Sequence, residues 1–204
     1  MVMFPSASKA LPGALLFLML PALAVSQAPA QRTLEEVVAL MAGAKAKGQV
    51  GTARKTKSVD AREAHPGEVV VTAIKGEGTA SQSRPARHGD WVVRNRCPET
   101  GNEQYLVAGI SFNERYRQTG APISAHGWRE YRPVGTLVQF LVVSLDTPPF
   151  RFVTDAGDTM LVKPGDTLVQ SPKDEKELVR VATPSFACTY DVVTPPAGGQ
   201  RTTP

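Results

Sequence analysis

The sequence predicts a mainly β protein of α+β type. Two pseudo-symmetric β half-repeats share one core as a small barrel or sandwich, and one N-terminal helix precedes them. Three observations carry this. Short valine-rich runs bounded by Gly, Pro and Asp fill the chain from Glu68 to Ala182. A Gly-Asp-led pattern occurs at 89–116 and again at 165–190. Helical periodicity is confined to one stretch near the N-terminus. β-Branched residues between turn formers are the signature of strands, and a barrel or sandwich protects many short strand edges.

The chain of 204 residues, 42% apolar and 21% charged, has an ordinary globular composition. Residues 1–30 read as an export signal. Lys9 is the only charge there, "ALLFLML" is an apolar run too short to span a bilayer, and Pro21 breaks it before the small residues of "ALAVSQAPA". Cleavage after Ala24, Ser26 or Ala30 fits the small-x-small triplets, with Ala24 preferred. An uncleaved membrane anchor is the rival reading. Removal of the signal takes away one lysine and no acid, so the formal charge falls from +4 to +3. That balance, without a clustered basic face, argues against a nucleic-acid partner.

Residues 31–65 are expected to hold a short helix and a basic linker. In "TLEEVVALMAGAKAKG", Thr33 and Glu36 have capping-box spacing, and Leu34, Val37, Val38 and Met41 share a face. The lysines and arginines between Lys45 and Arg62 lack interleaved aromatics and read as a solvated linker. Residues 66–194 then form a single β domain. Its strand candidates are "EVVVTAI", "DWVVRN", "EQYLVAGI", "TLVQFLVVSL", "RFVTD", "TMLVK", "DTLVQS" and "ELVRVA". The half-repeats run from about 66 to 118 and from 148 to 192, with an insert at 119–147. The tail 195–204 has nothing to bury and is expected to be disordered.

In the repeat, Gly89-Asp90 aligns with Gly165-Asp166 and Val92-Val93 with Leu168-Val169. Tyr105 and Val107 align with Val179 and Val181, and "SFNERY" aligns with "SFACTY". Phe and Tyr four apart place both rings on one side of a helical turn. The first unit, "GDWVVRN…EQYLVAGISFNERY", resembles a motif of small bacterial and phage-borne proteins with no assigned activity. Those proteins read approximately Gly-Asp-Trp/Tyr, two aliphatics, Gly-Glu-x-Tyr, then Phe-x-x-Thr-Tyr. One branch is named for a Pro-Gly-Asp-Tyr-Gly signature. "KPGD" at 163–166 fits its start, although Thr167 replaces the aromatic and no Gly follows; "FACTY" fits the ending better than "FNERY". The likeness covers roughly residues 66–192 in two pieces. It implies a fold unit and carries no functional residues across.

Gly before Asp at the start of a strand is turn chemistry, with glycine at positive φ and the carboxylate accepting turn amides. Gly89, Asp90, Gly165 and Asp166 are therefore structural turns. The sharper alternative brings Asp90 and Asp166 together as a dyad sharing a proton. Cys97 with His88 or His126 is a second catalytic candidate. Its expected fate, however, is a disulfide with Cys188, since an even cysteine count in an exported chain favours pairing. Closing so long a loop removes roughly 4–5 kcal/mol of unfolded-chain entropy. His65, His88 and His126 have no ligand-pair spacing, so no metal site is expected, and no cofactor motif occurs. The segment "RYRQTGAPISAHGWREYRPVGT" gathers Arg115, Arg117, Arg129 and Arg132 with Trp128 and Tyr131, types enriched at binding hot spots. The expectation is an exported periplasmic or secreted, non-catalytic envelope module. It binds an envelope protein or glycan through residues 112–132, with membrane contact only through an uncleaved signal. Two alternatives stay open: an envelope hydrolase using Asp90/Asp166 or Cys97, and an oligomerisation protein whose helix packs on another chain.

Overall fold

The computed structural model describes residues 28–122 and 126–197. The expected export signal as far as residue 27, and the expected disordered tail from 198, lie outside the described residues. In chain order the first elements are β1 (Ala30–Gln31), α1 (Leu34–Ala46), β2 (Gly51–Lys55), β3 (Val59–Glu63), β4 (Val71–Ile74) and β5 (Gly78–Gln82). Next come β6 (Trp91–Asn95), β7 (Gln104–Val107), α2 (Gly109–Arg115), β8 (Tyr116–Pro122), β9 (Arg129–Pro133) and β10 (Leu137–Val142). The last are β11 (Phe150–Val153), β12 (Thr159–Val162), β13 (Thr167–Gln170), β14 (Leu178–Val181), α3 (Thr183–Thr189) and β15 (Tyr190–Thr194).

The fold is mainly β and sandwich-like. Three five-stranded sheets have the orders β7-β6-β3-β9-β8, β14-β13-β10-β2-β15 and β1-β11-β12-β5-β4. None closes into a barrel, and α2 and α3 join the expected N-terminal helix. In the first two sheets an edge hairpin is followed by two antiparallel strands, and in the second of these sheets one of them is β2, from far earlier in the chain. A strand that follows a short helix completes each sheet. β2 pairs with β10, while β3 pairs with β9. The third sheet joins the hairpin β4–β5 to β11–β12 through β5 and β12.

Residues 48–65 are therefore not a linker. β2 and β3 are interior strands of two different sheets, with Ala53, Val59 and Ala61 fully buried. Their inward faces carry few apolar residues, small Gly51 and Ala53 on β2 and Val59 with Ala61 on β3, interleaved with charged ones, so the β-branched runs that advertise a strand are missing. Nor are residues 119–147 an insert: β8 runs to Pro122, and β9 and β10 are interior strands.

Local chemistry explains the elements around these strands. At α1, Thr33 Oγ1 accepts from the Glu36 amide at 3.2 Å and Glu36 Oε2 accepts from the Thr33 amide at 2.7 Å, as the capping box predicted. The apolar face of α1 packs within its own chain. Val37, Met41 and Ala44 lie in the largest core cluster with Phe150, Phe152 and Leu168. The two Gly-Asp turns have the same build. Gly89 and Gly165 sit at φ 85° and 82°, and the Asp90 and Asp166 amides each donate to the carbonyl three residues back at 3.1 Å. In return the carboxylates accept from the amides of Arg87 at 2.7 Å and Lys163 at 2.6 Å. α2 and α3 end on stacked ring pairs, Phe112–Tyr116 at 5.0 Å and Phe186–Tyr190 at 4.9 Å. Cys97 and Cys188 form a disulfide across 91 positions, tying the turn after β6 to α3. Such a bond fits an oxidising compartment.

Gly109 packs so closely on the first turn that a Cβ there would stand 2.3 Å from the Gly89 carbonyl oxygen. Gly109→Ala is expected to lose about 2–4 kcal/mol by overpacking against backbone. Gly89→Ala, strained only by its φ, should lose about 1–2 kcal/mol. Urea midpoints of the two variants check the order, and equal losses would contradict the close approach. Reduction of Cys97–Cys188 should lower stability by about 2–5 kcal/mol in the same assay.

Candidate functional site

A cleft of about 560 Å³ opens where β7 and β14 approach the third sheet. Its chemistry gathers around Lys55, the last residue of β2, which lies opposite Tyr190 of β15. Lys55 Nζ donates to the Tyr105 hydroxyl at 2.5 Å and to Asn95 Oδ1 at 3.1 Å. It also stands 4.9, 6.0 and 5.9 Å from the ring centroids of Tyr105, Tyr116 and Tyr190. The Tyr105 and Tyr116 hydroxyls are 3.2 Å apart. Asn95 passes the polarity on: its Nδ2 donates to Glu103 Oε1 at 2.8 Å, and Thr100 Oγ1 donates to the other carboxylate oxygen. The ammonium on one side and the carboxylate on the other fix the Asn95 amide orientation. Asn95, Thr100 and Glu103 are buried.

Two features of this cleft are unusual. Its other half-buried or buried cations have carboxylate partners: Arg84 with Asp90, Arg115 with Glu177, and Arg180 with Asp166 and Glu77. Lys55 has none among the described residues, and both of its acceptors are neutral. Second, Ser185 Oγ is buried against the cleft and is the one buried side-chain polar atom among the described residues without a hydrogen-bond partner. Buried hydroxyls nearly always find one.

The fold divides the arginine–aromatic segment among different faces. Tyr131 is buried, edge-on to Trp91 and Phe112 at 5.5 and 4.9 Å. Trp128 lies over Ala64, Val70, Ala86 and Val92, and the Arg62 and Arg94 guanidiniums cover its ring at 5.3 and 4.4 Å. Strand alternation puts Arg129 and Tyr131 on one face and Arg132 on the other. Arg132 and Arg117 face each other across β8 and β9. Arg117 donates to the carbonyls of Asn113 and Tyr116. Of the six residues, Arg115 alone lines the cleft.

The catalytic alternatives fare similarly. Asp90 and Asp166 each hold their own turn and their own arginine, with Arg84 Nη1 at 2.6 Å from Asp90 and Arg180 Nε at 2.8 Å from Asp166. Burial pushes the Asp90 carboxyl up, yet Arg84 and the amides of Arg87 and Gly109 hold it below the usual value. A proton-sharing dyad needs the reverse. Cys97 is closed in the disulfide. The one group of potential metal ligands among the described residues is Cys97, Glu99 and Cys188, whose two sulfurs are joined to each other. His88 is a turn residue where the second turn has Pro164.

Sequence reasoning missed Lys55 because it sat inside the supposed linker, and its partners Asn95 and Tyr105 are 40 and 50 positions away. Only the pairing of β2 brings them together. No family model matches the chain, nor does any curated protein or solved structure.

Burial raises the Tyr105 hydroxyl well above its ordinary pKa of 10.0, reinforced by Tyr116, and burial raises Tyr190 as well. Above that value the unfolded chain releases protons that the folded state retains, so stability present below it must fall as pH rises. Urea midpoints at about pH 9 and about pH 11 should drop less in the Tyr105→Phe, Tyr190→Phe double variant than in the parent. An equal drop would mean that these phenols titrate normally.

Proposed function

We propose that this chain is an exported, non-catalytic binding module of the bacterial envelope, built of two half-repeats, and that its ligand enters the central cleft. Export is supported by the signal-like residues 1–30 and by the disulfide. The half-repeats, extended by the strand orders to about 51–122 and 129–194, are supported by the matching turns and helices. The Gly-Asp and Phe-x-x-x-Tyr resemblance to small bacterial and phage-borne proteins concerns this shared frame.

One observation carries the choice of site: in the cleft the two halves differ. Lys55 lies opposite Tyr190, whereas Pro133 lies opposite Tyr116. Tyr105 lies opposite Val93, whereas Val179 lies opposite Val169. The Asn95 amide donates to the Glu103 carbonyl at 3.0 Å, and the Ser171 amide does so to Glu177 at 3.0 Å. Features common to both halves serve the architecture. Lys55, Tyr105 and Asn95 occur in one half alone, so the fold itself does not demand them.

Amide chemical shifts of the mature chain, titrated with a library of small envelope-derived metabolites and glycans, test the site. Ligands are expected to move Lys55, Tyr105, Ser185 and Tyr190, and Lys55→Ala should weaken them at least roughly tenfold while the fold persists. Shifts confined to Trp128 and Arg132, or none, would reject the cleft.

A further inference from the structure

We infer that the cleft selects a small organic molecule bearing one carboxylate, with Lys55 as the anchor of that group; this rests on the cleft being the binding site. The first reason is charge. Lys55 is half-buried, and an ammonium has three N–H groups. Two of them go to a neutral amide oxygen and a neutral phenol. The buried carboxylate of Glu103 is held by Asn95 and Thr100 rather than by the lysine. A cation removed from bulk water and given only neutral acceptors favours an anion.

The second reason is the size of that charge. Arg84, Arg115 and Arg180 are matched by Asp90, Glu177, Asp166 and Glu77, and Arg87 and Lys176 are exposed at the rim, so Lys55 is the one half-buried cation of the cleft without a carboxylate partner among the described residues. One cation suits a monoanion. A phosphate dianion recruits several cationic or backbone donors. The third reason is the lining. Leu106, Val107, Val179 and Val181 present apolar surface from β7 and β14, and the tyrosine rings flank Lys55. An apolar or aromatic body fits such walls, as in most small-molecule sites, where a few polar groups fix orientation.

A free organic acid and the C-terminus of a short peptide share this chemistry. Titration calorimetry of the mature protein with hydrocinnamate, its neutral amide, and N-acetyl-alanyl-phenylalanine separates them. The carboxylate should bind roughly ten- to a hundredfold more tightly than the amide, and Lys55→Gln should erase the difference. Tighter binding of the peptide would identify a chain end, and tighter binding of hydrocinnamate a free acid. The acid–amide comparison on the unaltered protein stands even if the variant misfolds. Equal affinity for acid and amide overturns the carboxylate. So does silence from all the probes, and the binding module survives that result if library compounds still shift the cleft amides. If those also fail, the cleft itself is wrong.

Discussion

The two largest strand ladders of this molecule depend on the placement of β2 and β9 as interior strands. β2 lies between β10 and β15, and β9 between β3 and β8. A sheet strand exposes unpaired amides and carbonyls on both sides unless neighbours satisfy them. Without β2, β10 would lose its ladder on one side and β15 would have no partner. β3 follows β2 directly and is committed to the other sheet, so the sheet of β2 joins residues 51–55 to strands from 137–194 and cannot form from a contiguous stretch of chain. Pairings of this reach require loop closure before any contact stabilises them. The disulfide and the β5–β12 pairing add two further long-range ties.

Within that frame the Gly-Asp turns illustrate how a repeated motif can be wholly architectural. A carboxylate buried at a turn needs donors on both oxygens and a compensating charge. The turn supplies an amide three residues back in each case. The charge comes from different places: Arg84 precedes its aspartate by six residues, whereas Arg180 follows its own by fourteen. The requirement is shared and the means of meeting it is not. The sequence repeat could therefore reveal the turn and leave the neutralising arginine hidden, which kept a catalytic dyad conceivable until the partners were visible.

Legibility in the sequence followed the strength of local chemistry. α1 was legible through its cap and its apolar face, and the turns and aromatic clasps through glycine, aspartate and ring spacing. Most valine-rich strands from β4 onward announced themselves. β2 and β3 did not, because only Gly51, Ala53, Val59 and Ala61 supply their buried apolar surface and charged residues stand between and beside them. That single misreading hid the candidate site, since Lys55 has meaning only once β2 is a strand lying against β15. The arginine–aromatic segment shows the opposite limit of local pattern. Its residue types were right for a hot spot, but alternation on β9 sends Tyr131 into the core, and Arg62 and Arg94 close over Trp128. Composition cannot distinguish a buried aromatic from an exposed one; the register of the strand decides it.

Lys55 remains the residue hardest to explain by stability alone. Drawing an ammonium from water carries a desolvation penalty, and its neutral hydrogen bonds recover only part of it. Each nearby tyrosine face adds about 0.5–2 kcal/mol in favourable geometry, although two of the three rings are near the 6 Å limit of that interaction. The other sheet solves the same register position with Pro133, which needs no counter-charge. Asn95 and Thr100 then screen Glu103 from the lysine rather than letting the two opposite charges meet. Closing that ion pair would give the ammonium a charged partner and remove it from the cleft. Holding the charges apart keeps an ammonium available at the cleft, and this separation is what makes the site a candidate for binding.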